Sequence, residues 1–278
     1  MFTLLIIFSL LLGAIMGSFL LVVSLRYNTG MSLQGRSQCF SCAKKLSWYE
    51  LIPIFSYLVQ QGRCRTCSSH IPAETLFAEL IVAVTFGLIA VRGLLVGQEA
   101  LVWTLPYLIG TFFLFVVFSV LSVIFFYDMR HKIIPDTLSF VFALIAVAGS
   151  FFFSFDSGVF IYTGFTLPSI IHVLSGVLVP LPFILIWIFS KGTLMGLGDP
   201  KLMVGIGLLL GLSQGFTAVF VSFWVGTLFV ISVLLTEKVL SKKLFTAGKK
   251  SIMKQEIPFG PFLILGMLVS IVFNINVL

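Results

Sequence analysis

Apolar side chains fall into eight long runs, at roughly 2–25, 74–92, 100–127, 133–153, 167–190, 199–213, 215–236 and 257–277. Within each run they follow one another without the strict apolar–polar alternation of a half-buried strand. About 20 such residues in a helix cross the hydrocarbon core of a bilayer. In lipid only helices and closed barrels satisfy every backbone polar group, and barrel strands would alternate. The pattern therefore predicts an all-α polytopic membrane protein of about eight transmembrane helices. Two polar intervals stand out between the runs, 26–73 and 237–256.

Composition agrees. The chain is 59% hydrophobic and 10% charged, against about 25% charged in soluble domains. The net charge of +7 would suggest nucleic acid in a soluble protein, but its distribution points elsewhere. Arg26, Arg36, Lys44, Lys45, Arg63 and Arg65 lie in 26–73, Arg130 and Lys132 follow the third run, and Lys191 and Lys201 flank the start of the sixth. Lys238, Lys242, Lys243, Lys249, Lys250 and Lys254 lie in 237–256. With eight spans, all 17 basic residues except Arg92 share one face. That face is expected to be cytoplasmic, with both termini outside and a location in the inner (cytoplasmic) membrane. One missed helix would scramble the asymmetry. The basic loops suit anionic membrane lipids, and no nucleic-acid partner is expected. The N-terminus lacks a basic leader region and its apolar run is long, so it reads as an uncleaved first helix.

The polar interval 26–73 holds all four cysteines, as Cys39-Phe-Ser-Cys42 and Cys64-Arg-Thr-Cys67. Two such turns can present four thiolates to a tetrahedral zinc ion, a closed and therefore structural site. Two disulfides, or four free thiols, are the alternatives; a cytosolic location argues against disulfides. A module of this size is too small to hold itself together by burial alone, so a metal would staple it. The chain thus divides into a first helix (1–25), a tetra-cysteine module (26–73) and a membrane bundle (74–278).

Aspartate is rare, and three of the four copies sit at helix ends on the basic face: Asp128 closing the third run, Asp136 opening the fourth and Asp199 opening the sixth. Asp156 falls in an outer loop. Each of the three has a plain structural explanation. Asp136 after Pro135, and Asp199 before Pro200, fit helix N-caps, and Asp128 can pair with Arg130 or Lys132. Capping does not need Gly196 and Gly198, however, and two glycines beside an acid allow unusual backbone conformations and close approach of another chain. Two carboxylates brought together at a membrane edge cannot both ionise, and such a pair can act as general base and general acid in peptide hydrolysis. No serine–histidine arrangement competes: His70 lies in the cysteine module, His131 beside Asp128, and His172 inside a run, where it reads as a packed residue bonded to a neighbour.

These segments together resemble the type IV prepilin peptidase family of GxGD-type aspartic proteases. The likeness begins with GAIMGSFLLVVSLR (13–26), where the family often has Asn in place of Leu21. It continues through 39–67, with Leu51, Pro53, Ser56 and Gly62 at the expected offsets, then Glu79, DMRHKIIPD (128–136) and GLGDPKL (196–202). The resemblance implies that Asp128 and Asp199 are the catalytic pair. It assigns Gly196, Gly198, Lys201, Pro135, Asp136 and Glu79 to support or substrate binding. It implies prepilin or pseudopilin substrates, cut at the cytoplasmic face between a basic leader and an apolar helix. It also implies N-methylation of the new terminus from S-adenosylmethionine, with the cysteine module taking part. A presenilin-like protease of other membrane helices, and a non-enzymatic transporter or assembly scaffold using the acids as a proton relay, are the competing readings.

Overall fold

The computed structural model describes residues 2–30, 32, 35–39, 41–156, 159–193, 195–240 and 257–275. The lysines expected at 242–254 lie outside these. The helices are α1 (Phe2–Arg26), the short α2 (Phe55–Val59), α3 (Ala73–Leu95), α4 (Leu105–His131), α5 (Asp136–Ser150), α6 (Ile170–Leu178), α7 (Leu181–Ser190), α8 (Gly198–Leu240) and α9 (Gly260–Phe273). Four of these elements, α1, α3, α4 and α8, are long and apolar enough to cross a membrane, and so is the stretch Ile170–Ser190 made by α6 and α7. Helices α5 and α9 are apolar but shorter, at 15 and 14 residues. The fold is the expected helical membrane bundle with a cysteine-rich insertion.

The last long helix is really two. Gly211 adopts φ 78°, ψ −175° inside α8, a combination essentially restricted to glycine. A Cβ on Gly215 would lie 3.4 Å from the Cα of Gly207, whereas residues so spaced stand about 12 Å apart along a continuous helix. The chain therefore doubles back at Gly211, close to the boundary expected between the sixth and seventh runs. Such a break strands the carbonyls of the preceding turn. Ser175 of α6 donates to the Gly207 carbonyl (2.6 Å), and His172 Nε2 lies 2.9 Å from the Leu208 carbonyl. A carbonyl only accepts, so Nε2 carries the proton. His172 is thus the packed, hydrogen-bonded residue expected. Beyond the turn, Gln214 donates to Asn274 (2.8 Å) and accepts from Ser270 (2.6 Å), tying the hairpin to the end of α9.

One departure from an all-helical chain is a two-stranded antiparallel hairpin, β1 (Phe153–Asp156) and β2 (Val159–Tyr162). Its aromatic alternation was hidden within the apolar run and the loop that follows. Phe160 and Val159 are fully buried. The strand is pinned by Arg92, which donates to the carbonyls of Phe160 and Ile89 and to Thr111 Oγ1, each at 2.7 Å, and lies over the Tyr107 ring. Arg92 is completely buried, so the one basic residue that breaks the charge asymmetry is an internal tie between helices.

At the other end, α1 packs closely on α3. A Cβ on Gly13 would come within 2.7 Å of Ala83 Cα, and one on Gly17 within 2.6 Å of the Ala78 carbonyl; small residues at this spacing are a common way for membrane helices to meet. The Tyr27 hydroxyl bonds Thr137, and its ring meets that of Tyr127 edge-on. Arg130 reaches Glu74 at 3.7 Å. The ends of α1 and α4 and the starts of α3 and α5 thus gather on one side of the bundle, the side that carries the cysteine module.

Replacing Gly211 by Ala forces a Cβ into a glycine-only conformation, 3.0 Å from the His172 ring. The expected cost is about 1–3 kcal/mol, read as a drop of several degrees in the thermal midpoint of the detergent-solubilised protein. An unchanged midpoint would show that the turn is not strained as described.

Candidate active site and metal centre

Asp128 and Asp199 line one cavity of about 820 Å³, close enough for their charges to interact. Each acid is delivered by a helix end. Helix α4 stops because Lys132 takes a left-handed conformation (φ 56°), its N–H returning to the Asp128 carbonyl at 2.7 Å. Asp128 therefore falls in the last turn, 3% exposed. The chain then runs through Ile133, Ile134 and Pro135 into α5. Asp199 lies in the first turn of α8, where the positive end of the helix dipole favours an acid. Helix α9 starts at the same place. Gly260 packs against Asp128 so tightly that a Cβ would sit 2.6 Å from Oδ2, and Ile134 lies 3.1 Å from both that position and the equivalent one on Gly198.

The simple structural explanations for the acids do not hold. Asp128 pairs with neither neighbouring base, since Arg130 turns to Glu74. Asp136 is the first residue of α5, with Pro135 in the cap position and no side-chain cap bond. Asp199 is one residue inside α8 rather than ahead of it. Lys201 meets Asp136 at 2.6 Å, joining the two acidic segments across the cavity wall. Gly196, Gly198 and Asp136 line the cavity; Pro135, Lys201 and Glu79 do not. Gly196 and Gly198 keep ordinary negative φ values, so the unusual backbone expected of them is not used. Ile134 crowds Gly198, and among the described residues nothing but the Gly198 nitrogen approaches Gly196, at 4.0 Å.

Sequence reasoning missed Lys132, Ile134, Phe183, Phe223 and Phe259, which complete the wall, and Gly260. For Gly260 there was a signal. Phe259-Gly260-Pro261 repeats the glycine-then-proline punctuation of Gly198-Asp199-Pro200 at a helix start. The phenylalanines carry none, being three among the chain's 31. A second, apolar groove of about 320 Å³ leads from Phe223 and Phe259 past Gly226, Thr227, Val230, Ile231 and Phe262.

Glu79 lies elsewhere. It is buried in α3, accepts the Ile54 N–H at 2.6 Å and faces Ser18 of α1. It joins the insertion to the bundle. In that insertion the four cysteine sulfurs lie within 4.8 Å of one another, a spacing that could hold a metal ion. The two knuckles share one build. Ala43 and Ser68, each directly after the second cysteine, have φ near 55° and return their N–H to Cys39 and Cys64. A backbone bridge flanks each, Gln38 with Lys45 and Arg63 with His70. The Cys42 backbone N–H, with that of Ser41, brings the Cys39 thiol down to about 6, and Ser69 lowers that of Cys67. Thiolates are what a metal needs.

Two family models match the chain. The bacterial peptidase A24 N-terminal domain covers residues 11–93, and the type IV leader peptidase family covers 115–231. A prepilin leader peptidase/N-methyltransferase of Vibrio cholerae is 30% identical over 219 residues, 74% of this chain and 78% of its own length. The chain belongs to the type IV leader peptidase family. It is therefore a protease, and the non-enzymatic transporter or scaffold drops out. A relative of the same name from Bacillus subtilis is 27% identical over 96% of this chain and 93% of its own. No solved structure matches the present chain. The first family model spans α1, the cysteine module and α3, and the second contains both Asp128 and Asp199.

Metal analysis of the purified protein should return about one ion per chain, lowered by Cys39→Ser or Cys64→Ser. Without metal the Cys39 thiol is lowered to about 6 while that of Cys42 is raised to about 11. A bound ion needs all four deprotonated, so metal should be held at neutral pH and released on acidification. Stoichiometry near zero at neutral pH would refute the site.

Proposed function

We propose that this protein is a membrane aspartic endopeptidase that removes the leader peptides of type IV prepilins or pseudopilins at the cytoplasmic face of the inner membrane. The observation that carries the reading is the meeting of Asp128 and Asp199 in one cavity, within a family named for this activity. One carboxylate takes a proton from a water as the water oxygen attacks the scissile carbonyl. The other donates a proton to the carbonyl oxygen. Collapse of the tetrahedral intermediate then breaks the C–N bond, and the leaving nitrogen takes up a proton.

The walls suit such a substrate. After doubling back at Gly211, α8 passes the acids at Phe223 and continues for about 25 Å more at 1.5 Å per residue. The apolar groove along this extension would receive the substrate's apolar helix while the junction lies extended at the acids. Gly196 and Gly198 leave space for that extended strand, and Lys201 with Asp136 holds the two acidic segments in register.

We assign the cytoplasmic orientation, with eight crossings and both termini outside, from the basic loops. The tetra-cysteine module at 26–73 would hold a structural Zn²⁺, with Cys39, Cys42, Cys64 and Cys67 as ligands. The relatives' names pair peptidase with N-methyltransferase, and S-adenosylmethionine would supply the methyl group. Anionic lipids are the expected partners of the basic loops.

Asp128→Asn and Asp199→Asn should each cut leader removal by about a hundredfold or more while the protein still inserts and accumulates. Full cleavage by either variant would sink the acid pair. Gly226→Trp, which fills the apolar groove, should slow cleavage of a full prepilin but spare a short peptide lacking the apolar helix. Equal effects on both would remove the groove from substrate binding. Mass spectrometry of a co-expressed pilin's mature N-terminus reads the cut site and any added methyl together.

A further inference from the structure

The cysteine-bearing insertion carries an apolar surface that neither the metal nor the acids explain. Between its two knuckles the chain forms a 3₁₀ turn (Trp48–Leu51) and α2. Trp48 is 78% exposed, Phe55 61%, Leu58 60% and Val59 53%, and Tyr49 and Leu51 are exposed as well. A polar segment outside the membrane has no reason to display so many large hydrophobic side chains together.

Its depth supplies the reason. The Ile54 N–H is held at 2.6 Å by Glu79, which lies about 9 Å along α3 from its first residue, Ala73, at 1.5 Å per residue. The turn before α2 is therefore drawn down beside the transmembrane helices. Phe77 and Leu80, which flank Glu79 on α3, are themselves exposed, so the apolar surface meets that of the spans. Interfacial segments bury their apolar face to about this depth, 5–10 Å. The backbone is bent to do it: Ile54, a β-branched residue, has φ 63°, a conformation rare for its type.

The rim is basic. Lys45, Arg63 and Arg65 are exposed, and Arg65 lies 5.2 Å over the Tyr49 ring. Apolar centre and cationic edge match the acyl and headgroup layers of an anionic leaflet. They do not match a basic leader peptide, and no residue of 48–59 lines the catalytic cavity.

We propose that residues 48–59 are a monotopic membrane anchor: they insert into the leaflet on the module's side, with anionic headgroups on the basic rim. The module then lies flat against the bilayer beside α1 and α3, tied down by Glu79.

Trp48 reports its own depth. The test uses the full protein in phosphatidylcholine–phosphatidylglycerol vesicles, with Trp103, Trp187 and Trp224 changed to Phe. Lipids brominated near the headgroup end of the acyl chain should remove most of the remaining emission, and aqueous iodide little of it. At equal mole fraction, brominated phosphatidylglycerol should quench more than brominated phosphatidylcholine. If the triple replacement fails to fold, the difference between the unaltered protein and Trp48→Phe isolates the same signal. Ready quenching by iodide with none by bromolipid would overturn the anchor, and equal quenching by the two lipids would overturn the anionic preference. Protection from iodide only after a prepilin peptide is added would make the surface a substrate dock, overturning the proposal. None of these readouts depends on peptidase activity.

Discussion

Asp128 is buried against the backbone of Gly260, with a Cβ's worth of space missing between them, and much of the bundle's shape follows from that contact. A buried carboxylate is costly unless polar groups or another ionisable group lie near. Here the answer is to bring helix ends to it. Helices α8 and α9 begin at the acids, and the first turn of a helix presents unpaired N–H groups and the positive end of its dipole. Helix α4 ends there and α5 begins just beyond. Helices α5 and α9 are short, at 15 and 14 residues, while the second half of α8 runs on past the acids. The cavity is the step between the two lengths.

The Gly211 turn is the counterpart at the far end. The first half of α8 starts at the acids and runs to Gly211, where the chain doubles back. Breaking a helix in an apolar setting exposes carbonyls that water cannot serve. Ser175 and His172 satisfy two of them, and the Gln214–Ser270–Asn274 group closes the rest of the turn. These polar residues look out of place in apolar runs until the break is known.

The runs and the charge asymmetry made the helices legible, and the cysteine spacing made the module legible. Asp128 and Asp199 could be singled out because acids are scarce and each stood at a run's end, a feature that lies on the surface of the pattern. What could not be read was which partner each charge would choose. Arg130 goes to Glu74 and Lys201 to Asp136 because of how helix ends meet in space, and nothing in local spacing favours those pairs over Asp128. The β1–β2 hairpin was masked for a related reason: in a membrane chain a buried strand and a helix are equally apolar, and only tertiary contacts, here Arg92 on the Phe160 carbonyl, decide between them.

The cysteine module and the acid pair share one side of the bundle. Glu79 fixes the module to α1 and α3. Those helices reach the acid-bearing segments through the buried bond from Arg92 to Thr111 of α4, the Tyr27–Thr137 bond and the Arg130–Glu74 pair. The last is exposed at both ends, and such pairs contribute about 0–1 kcal/mol. The contacts that hold the acids, Gly260, Ile134 and the starts of α8 and α9, nevertheless belong wholly to the bundle and include no residue of the cysteine module.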